Sequence, residues 1–371
     1  MNILSLISSF TSPFPPYLIL FVTARCNASC QMCFNSKRQE QTCIDDELSV
    51  HEIEQISRNY RKLTQLTLTG GEPFLRNDLH TIVRLFYENS GVRWLTIPTN
   101  GYLTKNIVDT ALNILNQCPK LTVNIDLSID ACDHYHDTIR RLPGAFQQAL
   151  ITFEELKKIR KGNHRLFIKF TTVVSPFNAS HVPHVFYRLA HLGADDHELL
   201  LARGQFRDCH HKKVSLKTYT QLIAQKRIID NKYHKKIKGF ARIFHVLYEH
   251  LYDSMIKIQA SKKLIYPCLA GQKFIEIYED GLVVPCEMKK WIHKNGTQGF
   301  GNLRNFHYDI LTLLTSKHSQ QIINTIKENH CMCSFECAIL CSMIFSVIAY
   351  PHLIQLILSK GLKRGRNAFC Q

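Results

Sequence analysis

The sequence predicts an α/β fold, a partial (β/α)6 TIM-like barrel followed by a small α+β domain. Three observations carry this reading. Six short apolar runs alternate with segments of helical period between Tyr17 and Ala202, the pattern of a parallel sheet with helices outside. Each polar or glycine-rich motif follows the C-terminal end of such a run, where α/β folds collect their chemistry. Beyond residue 262 the alternation gives way to a hairpin pattern and a dense run of cysteines. Six repeats leave an eight-fold barrel two units short, so the barrel is open. Residues 1–214 then form the barrel, 215–262 a helical connector and 263–371 the second domain.

Taken in order, Tyr17-Leu-Ile-Leu-Phe-Val-Thr23 is almost wholly apolar, as a strand buried on both faces is. It runs directly into Cys26-Asn-Ala-Ser-Cys30-Gln-Met-Cys33. Ser49 is placed to cap a helix reaching Leu63, with Glu52 three residues on completing a capping box. Gln65 to Thr69 is the second strand and ends in Gly70-Gly71-Glu72-Pro73, before a helix over Leu79 to Asn89. Val92 to Pro98 is the third, ending at Thr99-Asn100-Gly101, before a helix over Lys105 to Gln117. Leu121 to Ile129 closes at Asp130, and Phe146 to Arg160 is helical. Leu166 to Val174, the helix Val182 to Leu192 and the strand Glu198 to Ala202 complete the six, with Arg203-Gly204 after them. The basic stretch from Lys226 to Lys238 reads as a solvated helix face, with an anionic partner as the alternative. Phe274 to Tyr278 and Leu282 to Cys286 flank Asp280-Gly281 as a hairpin, and Ser316 to Glu328 is helical.

The first cysteine loop carries the chemistry. Three thiolates so closely spaced suit a metal centre better than a packed core, and they leave one iron of a [4Fe–4S] cluster without a protein ligand. An open iron can take a substrate or cofactor, as the open position of a catalytic zinc site does. Two further cysteines, Cys268 and Cys286, come from the hairpin region, and Cys331, Cys333, Cys337 and Cys341 follow. Two from each group complete a closed second cluster, for structure or electron transfer, with Cys333 and Cys337 preferred over Cys331 and Cys341. The clustering of 14 cysteines in a long chain reads as metal binding in a reducing compartment, not as a disulfide scaffold. Met1 to Pro16 has no basic n-region and no cleavage site, so the expected location is cytoplasmic.

Composition excludes little more. Hydrophobic content of 45% and charged content of 20% fit a globular chain. The formal charge of +16 counts every thiol as neutral, and cluster-bound thiolates reduce it. No zinc-finger spacing, RNP-like aromatic motif, P-loop or dinucleotide fingerprint is present, so no nucleic-acid partner is expected. Ala338 to Leu358 is apolar with a basic flank at Lys360, Lys363, Arg364 and Arg366. Pro351, His352 and Gln355 interrupt it, which favours a helix packed on the body over a membrane span, with peripheral membrane contact as the alternative. His134, His136, His210 and His211 lack ligand spacing, and Cys43, Cys118, Cys132, Cys209 and Cys370 stand alone, so structural roles are expected for them.

These residues resemble the radical S-adenosylmethionine (SAM) superfamily. Cys26-x3-Cys30-x2-Cys33 matches its cluster motif, and Gly70-Gly-Glu-Pro73 its methionine-binding segment. The second domain resembles the SPASM/twitch extension through Cys268-x12-Gly281-x4-Cys286. The later cysteine run departs from the full SPASM spacing, which favours one auxiliary [4Fe–4S] cluster over two. The resemblance implies a [4Fe–4S] cluster on three cysteines that chelates SAM. It also implies an external one-electron reductant of flavodoxin or ferredoxin type and a 5′-deoxyadenosyl radical that abstracts substrate hydrogen.

Site residues are carried over the same way. Gly70, Gly71 and Glu72 would hold the methionine ammonium, and Asn100, Ser128 and Asp130 would contact the ribose and methionine ends. Arg140 would pair with the methionine carboxylate, a surface arginine being the bland alternative. Phe34 would lie near the adenine. Glu287 would be a substrate-side base, against the alternative of an exposed glutamate. The reaction would oxidise, crosslink, epimerise or rearrange a small molecule or a peptide. With the first strand beginning near residue 17, no N-terminal winged-helix-like peptide-binding domain is expected, which tilts the reading slightly toward the small molecule, or toward a peptide delivered by another protein. A non-catalytic iron–sulfur protein is the rival class.

Overall fold

In the computed structural model, the structure describes residues 9–204, 206–208, 213–233, 240–287, 299–328, 333–351 and 354–355. Cys209, His210, His211, Cys331, Cys370 and the basic residues 360–366 lie outside the described residues.

Six parallel strands, β1 (Tyr17–Thr23), β2 (Gln65–Gly70), β3 (Trp94–Thr99), β4 (Thr122–Ser128), β5 (Leu166–Val174) and β6 (Asp196–Leu201), lie side by side in chain order, with helices between them. The open half-barrel expected from the sequence is present. The alternation of side chains explains its shape. Leu18, Leu20, Leu66, Leu68, Ile168 and Phe170 point outward and are buried under the helices, in the main core. The inward positions include Thr67, Asp126, Lys169, Thr171 and Glu198, so the concave face is polar.

One feature of the topology was not legible. A second set of strands, β7 (Phe274–Ile277), β8 (Leu282–Val284) and β9 (Gly301–Asn302), continues the same sheet, giving the order β6-β5-β4-β3-β2-β1-β7-β8-β9. β7 pairs in parallel with β1 from Tyr17↔Phe274 to Leu20↔Ile277, and the expected hairpin pairs Glu276 with Val284. This is why the first strand is apolar on both faces. Its other side, Ile19 and Phe21, packs against Phe274, Tyr278 and Phe335.

Helices form where their ends are capped and one face is apolar. The helix Val50–Asn59 starts at Ser49, whose hydroxyl accepts from Glu52 N while the Glu52 carboxylate accepts from Ser49 N at 2.8 Å, the expected capping box. It stops short of Leu63 because Tyr60 turns into the core and donates to the Pro15 carbonyl at 2.6 Å. Two helices, Ser36–Gln41 and Asp133–Arg140, were not expected. Both are short and polar, so no apolar period announces them.

The connector consists of Leu216–Tyr233 and Phe240–Ser261. Here the sequence expectation needs correction. Lys226 is buried and bonded to Asp230 at 2.5 Å, and Arg227 pairs with Glu249 and Asp253. The described part of the basic stretch is neutralised within the helices and is not a bare solvated face. Tyr219, Tyr252 and Met255 pack there with Ile339 and Met343 of the helix Glu336–Phe345. That helix lies on the body, and among the described residues no helix is long and apolar enough to cross a membrane.

Glu52 also ties the barrel to the second domain. It accepts from Arg304 Nε at 2.6 Å and Tyr308 Oη at 3.0 Å. Partial burial raises its pKa, but the hydrogen bonds from Arg304, Ser49 and Tyr308 outweigh that and hold the carboxyl down at about 2. The unfolded chain therefore binds this proton more readily, so the contribution is present above the ordinary carboxylate range and is lost as pH falls toward 2. Arg304→Ala is expected to cost about 0.5–1 kcal/mol at neutral pH, because the pair is half-exposed. The cost should shrink as acid protonates Glu52. Urea unfolding at neutral and acid pH checks both; an equal cost at the two pH values would rule out the charge as the cause.

Candidate active site

The end of β1 is held from below before the cysteines begin. Thr23 Oγ1 donates to Glu47, which also pairs with Arg25 at 3.3 Å. Arg76, itself buried, donates to the carbonyls of Val22 and Leu48. Gly70 and Gly71 explain themselves here. Gly71 N donates to Thr23 O and Glu72 N to Arg25 O, both at 2.8 Å, so β2 ends pressed against the backbone leading to the loop. A Cβ on Gly70 would lie 2.1 Å from Thr23 O, and one on Gly71 2.0 Å from Arg25 O. Gly70 also has φ +130°, a region side chains rarely adopt. The resemblance has these glycines holding the methionine ammonium; in the structure they also let β2 end in direct contact with the exit of β1.

Glu72 is buried and accepts from Phe74 N, Thr99 Oγ1 and Asn100 N, at 3.2, 2.8 and 2.8 Å. Burial pushes its carboxyl pKa up, and these donors oppose the shift. It joins the ends of β2 and β3. Asn100 then donates from Nδ2 to Asn27 Oδ1 at 2.7 Å, reaching into the cysteine loop.

The loop itself lies on the helix Asp133–Arg140. Ser29 N donates to Arg140 O and Gln31 N to Ile139 O. From the other side Arg207 N donates to Cys33 O. Arg140 is buried and donates from Nε and Nη2 to Asp130 Oδ2 at 2.9 and 2.6 Å, so it is no surface arginine. Asp130 Oδ1 accepts from Val173 N. Arg140 and Asp130, each expected to contact the cofactor, are ion-paired with each other. Ser128 ends β4 on the concave face, opposite Thr171. Phe34 is half-exposed, its Cβ within 3.1 Å of the space beside Gly204. His136, fully buried, accepts from Asp130 N, the structural role expected of it.

The residues fit a [4Fe–4S] cluster with an acceptor-rich partner beside it. Burial raises the Cys26 and Cys33 thiols to about 12 and about 11, and raises Cys30 as well. Bare, they are inert thiols; coordinated, they would be thiolates. Three buried polar atoms around the loop have no partner: Asn27 Nδ2, Asn35 Nδ2 and Arg207 Nε. All three are donors, and hydrogen bonds to cluster sulfurs are the natural use of such groups. Among the described residues no three His, Cys, Asp or Glu side chains are grouped to hold one metal ion. In a cluster each cysteine binds its own iron, so such convergence is not required.

The remaining cysteines come together elsewhere. Cys286 and Cys341 are buried in one apolar cluster, and Cys268, Cys333 and Cys337 pack against it. None of these is in a disulfide. A largely apolar cleft between Cys268 and Cys333 is lined also by Ile258, Tyr266 and Ile339. Tyr17 Oη donates to Cys337 Sγ at 3.6 Å. Burial pushes the Cys337 thiol up to about 12 and Cys341 higher, the latter beside Cys268 and Cys337.

Between the two cysteine groups lies a cluster of charges that the sequence only half revealed. Arg203 contacts Glu287 and pairs with Glu336 at 2.6 Å, and its guanidinium lies 4.5 Å above the Phe335 ring. Glu287 is thus buried, not the exposed glutamate of the bland alternative. Arg203, Asn27 and Arg207 carried no motif of their own; only their positions just after a strand or a cysteine could have flagged them.

Arg38, on the helix after the loop, pairs with Glu279 at 2.8 Å and Asp280 at 2.7 Å and covers the Tyr278 ring at 4.3 Å. Because the Glu279 side chain is fully buried, Arg38→Ala should destabilise the chain by about 3 kcal/mol. A loss below about 0.5 kcal/mol in urea unfolding would show that the carboxylate is otherwise satisfied.

Residues 20–186 match the radical SAM superfamily. A GTP 3′,8-cyclase of Klebsiella pneumoniae is 28% identical over 174 residues, 43% of this chain and 51% of that protein. One from Pectobacterium atrosepticum is 37% identical over 122 residues, 31% of this chain and 35% of the relative. The chain thus spans about half or less of the length of these curated relatives. Among solved structures, native anSMEcpe with bound AdoMet superposes with TM-score 0.60 at 14% identity, covering 95% of this chain and 99% of that one. Streptococcus suis SuiB bound to precursor peptide SuiA gives 0.59 at 16% identity, covering 86% and 69%. At those identities the likeness is one of fold.

Proposed function

From a radical SAM domain at residues 20–186, which implies a [4Fe–4S] cluster and SAM, we propose that this chain is a radical SAM enzyme acting on a small molecule. Cys26, Cys30 and Cys33 would hold the cluster, and Cys268 and Cys286 with two of Cys333, Cys337 and Cys341 an auxiliary one. When bound, cluster and SAM supply a 5′-deoxyadenosyl radical that takes a hydrogen atom from the substrate. The observation that carries the reading is the convergence on one loop of the ends of β2, β3 and the helix Asp133–Arg140, through Gly71, Asn100 and Arg140.

The chain's own residues have separable tasks in this scheme. Glu72 and the Asp130–Arg140 pair fix the rims against which SAM would lie. Asn27, Asn35 and Arg207 offer donors to the cluster side. Arg203 holds the Glu287 carboxylate in place beside Cys286, where it would face the substrate side. The buried side chains of this rim would keep solvent and stray hydrogen donors away from the reacting groups.

The test is anaerobic reconstitution with iron and sulfide, then SAM and dithionite, with 5′-deoxyadenosine measured. Its formation at more than stoichiometric yield is expected. A loaded cluster that leaves SAM intact would overturn the enzyme reading in favour of a non-catalytic iron–sulfur protein.

A further inference from the structure

The concave face below the cysteine loop carries a set of polar side chains that neither the cluster nor SAM uses. Val173 on β5 shares a small apolar cluster with Cys30 and Met32, which places it at the loop. Two residues down the strand on the same face is Thr171, and two further is Lys169, steps of about 7 Å each. Across the sheet Thr171 faces Ser128 and Glu198, and Lys169 faces Asp126 and Asp196.

The charges on this face do not balance. Lys169 is taken by Glu198 at 2.5 Å, with the Tyr248 ring 5.2 Å from its Nζ. Asp196 is served by Lys226 at 3.9 Å. Asp126, only 7% exposed, has no ion pair among the described residues and accepts one hydrogen bond, from Asn124 Nδ2 at 2.5 Å. Burial pushes its carboxyl up to about 7, with Lys169 opposing the shift and Glu198 adding to it.

The hydrogen bonds do not balance either. The Thr171 hydroxyl is buried and has no partner, and neither has Asn124 Oδ1. A ladder built only for stability would satisfy its own polar atoms, since buried groups without partners are rare and costly. An unpaired carboxylate and unpaired hydrogen-bonding groups, side by side and a short step from the loop, call for a ligand with a positive charge and hydroxyls.

We propose that Asp126, Thr171 and the Lys169–Glu198 pair form the recognition site for a hydroxylated small molecule carrying a protonated amine. The amine would lie on Asp126, and ligand hydroxyls would engage Thr171 and Asn124. This rests on the reading above in one respect only, that the half-barrel houses the reaction.

The experiment measures binding to the reconstituted full chain by calorimetry near pH 7, where the amine of glucosamine is mostly protonated, without SAM or reductant. The probes are glucosamine, glucose and glucose 6-phosphate. Glucosamine should bind about 10-fold more tightly than glucose, the value of one added charge-assisted contact. Asp126→Asn should abolish that preference, and the isosteric Thr171→Val should weaken both sugars alike, with circular dichroism confirming that each variant is folded. Equal binding of glucose and glucosamine, no binding of either, tightest binding of the phosphate, or a preference that survives Asp126→Asn would each overturn the site. Because no SAM cleavage is measured, such a failure leaves the enzyme reading standing. An absence of 5′-deoxyadenosine with sugar binding intact fails the enzyme reading alone.

Discussion

Replacing Cys26, Cys30 and Cys33 together by alanine yields a chain that forms no 5′-deoxyadenosine and, after reconstitution, holds about four irons. The first result follows because no other described thiols stand at the loop formed by β1 and the helix Asp133–Arg140. The second follows because the C-terminal cysteines share their own apolar cluster, apart from this loop, and do not depend on its thiols. The three cysteines are half-buried, and Cys26 and Cys30 pack only against two small clusters outside the main core, so the fold should persist and the iron count is interpretable. Iron near zero would show that the second group forms no independent cluster. About eight irons would show two auxiliary clusters and would bring Cys331 into play.

Gly71→Ala is expected to have the larger effect on the fold. Its Cβ would meet backbone, the Arg25 carbonyl at 2.0 Å, with the Ala24 carbonyl at 2.6 Å, so no side chain can rotate away. The strand end must retreat, breaking the bonds from Gly71 N to Thr23 O and from Glu72 N to Arg25 O. A cost of about 3 kcal/mol or more is expected from the overpacking and the lost buried bonds. The Gly70→Ala chain should behave similarly, adding the strain of φ +130°. Urea unfolding of the apo chain measures this. A change within about 0.5 kcal/mol would mean that the loop yields easily, and the glycines would then be kept for the cofactor after all.

Much of the barrel was legible because its periodicities are strong. The strand Leu166–Val174 and the helix Leu79–Asn89 fall where the alternation of β-branched residues and the spacing of Leu, Ile and Val place them. The site was legible through cysteine spacing and Gly-Gly-Glu-Pro. What escaped was what short-range pattern does not encode. The helix Asp133–Arg140 is too polar to announce itself, yet its last carbonyls hold the loop. The pairing of β1 with β7 joins residues more than two hundred and fifty apart, and nothing in Phe274 to Ile277 distinguishes a parallel partner from a free hairpin arm. Arg203 looked like a loop residue and is the hub of two carboxylates. Lys226 and Arg227 of the connector looked solvated because their acids lie a helix turn or a helix away.

Strand β1 is made early, and its second neighbour arrives late. At ribosomal rates of 5–20 residues per second, roughly 10–50 s pass between synthesis of Tyr17 and of its partner Phe274. For that interval the strand that presents the cysteines is an edge, with an unpaired row of backbone groups and apolar side chains on its uncovered face. The loop can be shaped by β2 and β3 meanwhile, but its footing is incomplete until the last third of the chain emerges. A nascent chain stalled before residue 274 is therefore exposed to strand-to-strand aggregation at the strand that leads into the cysteine loop.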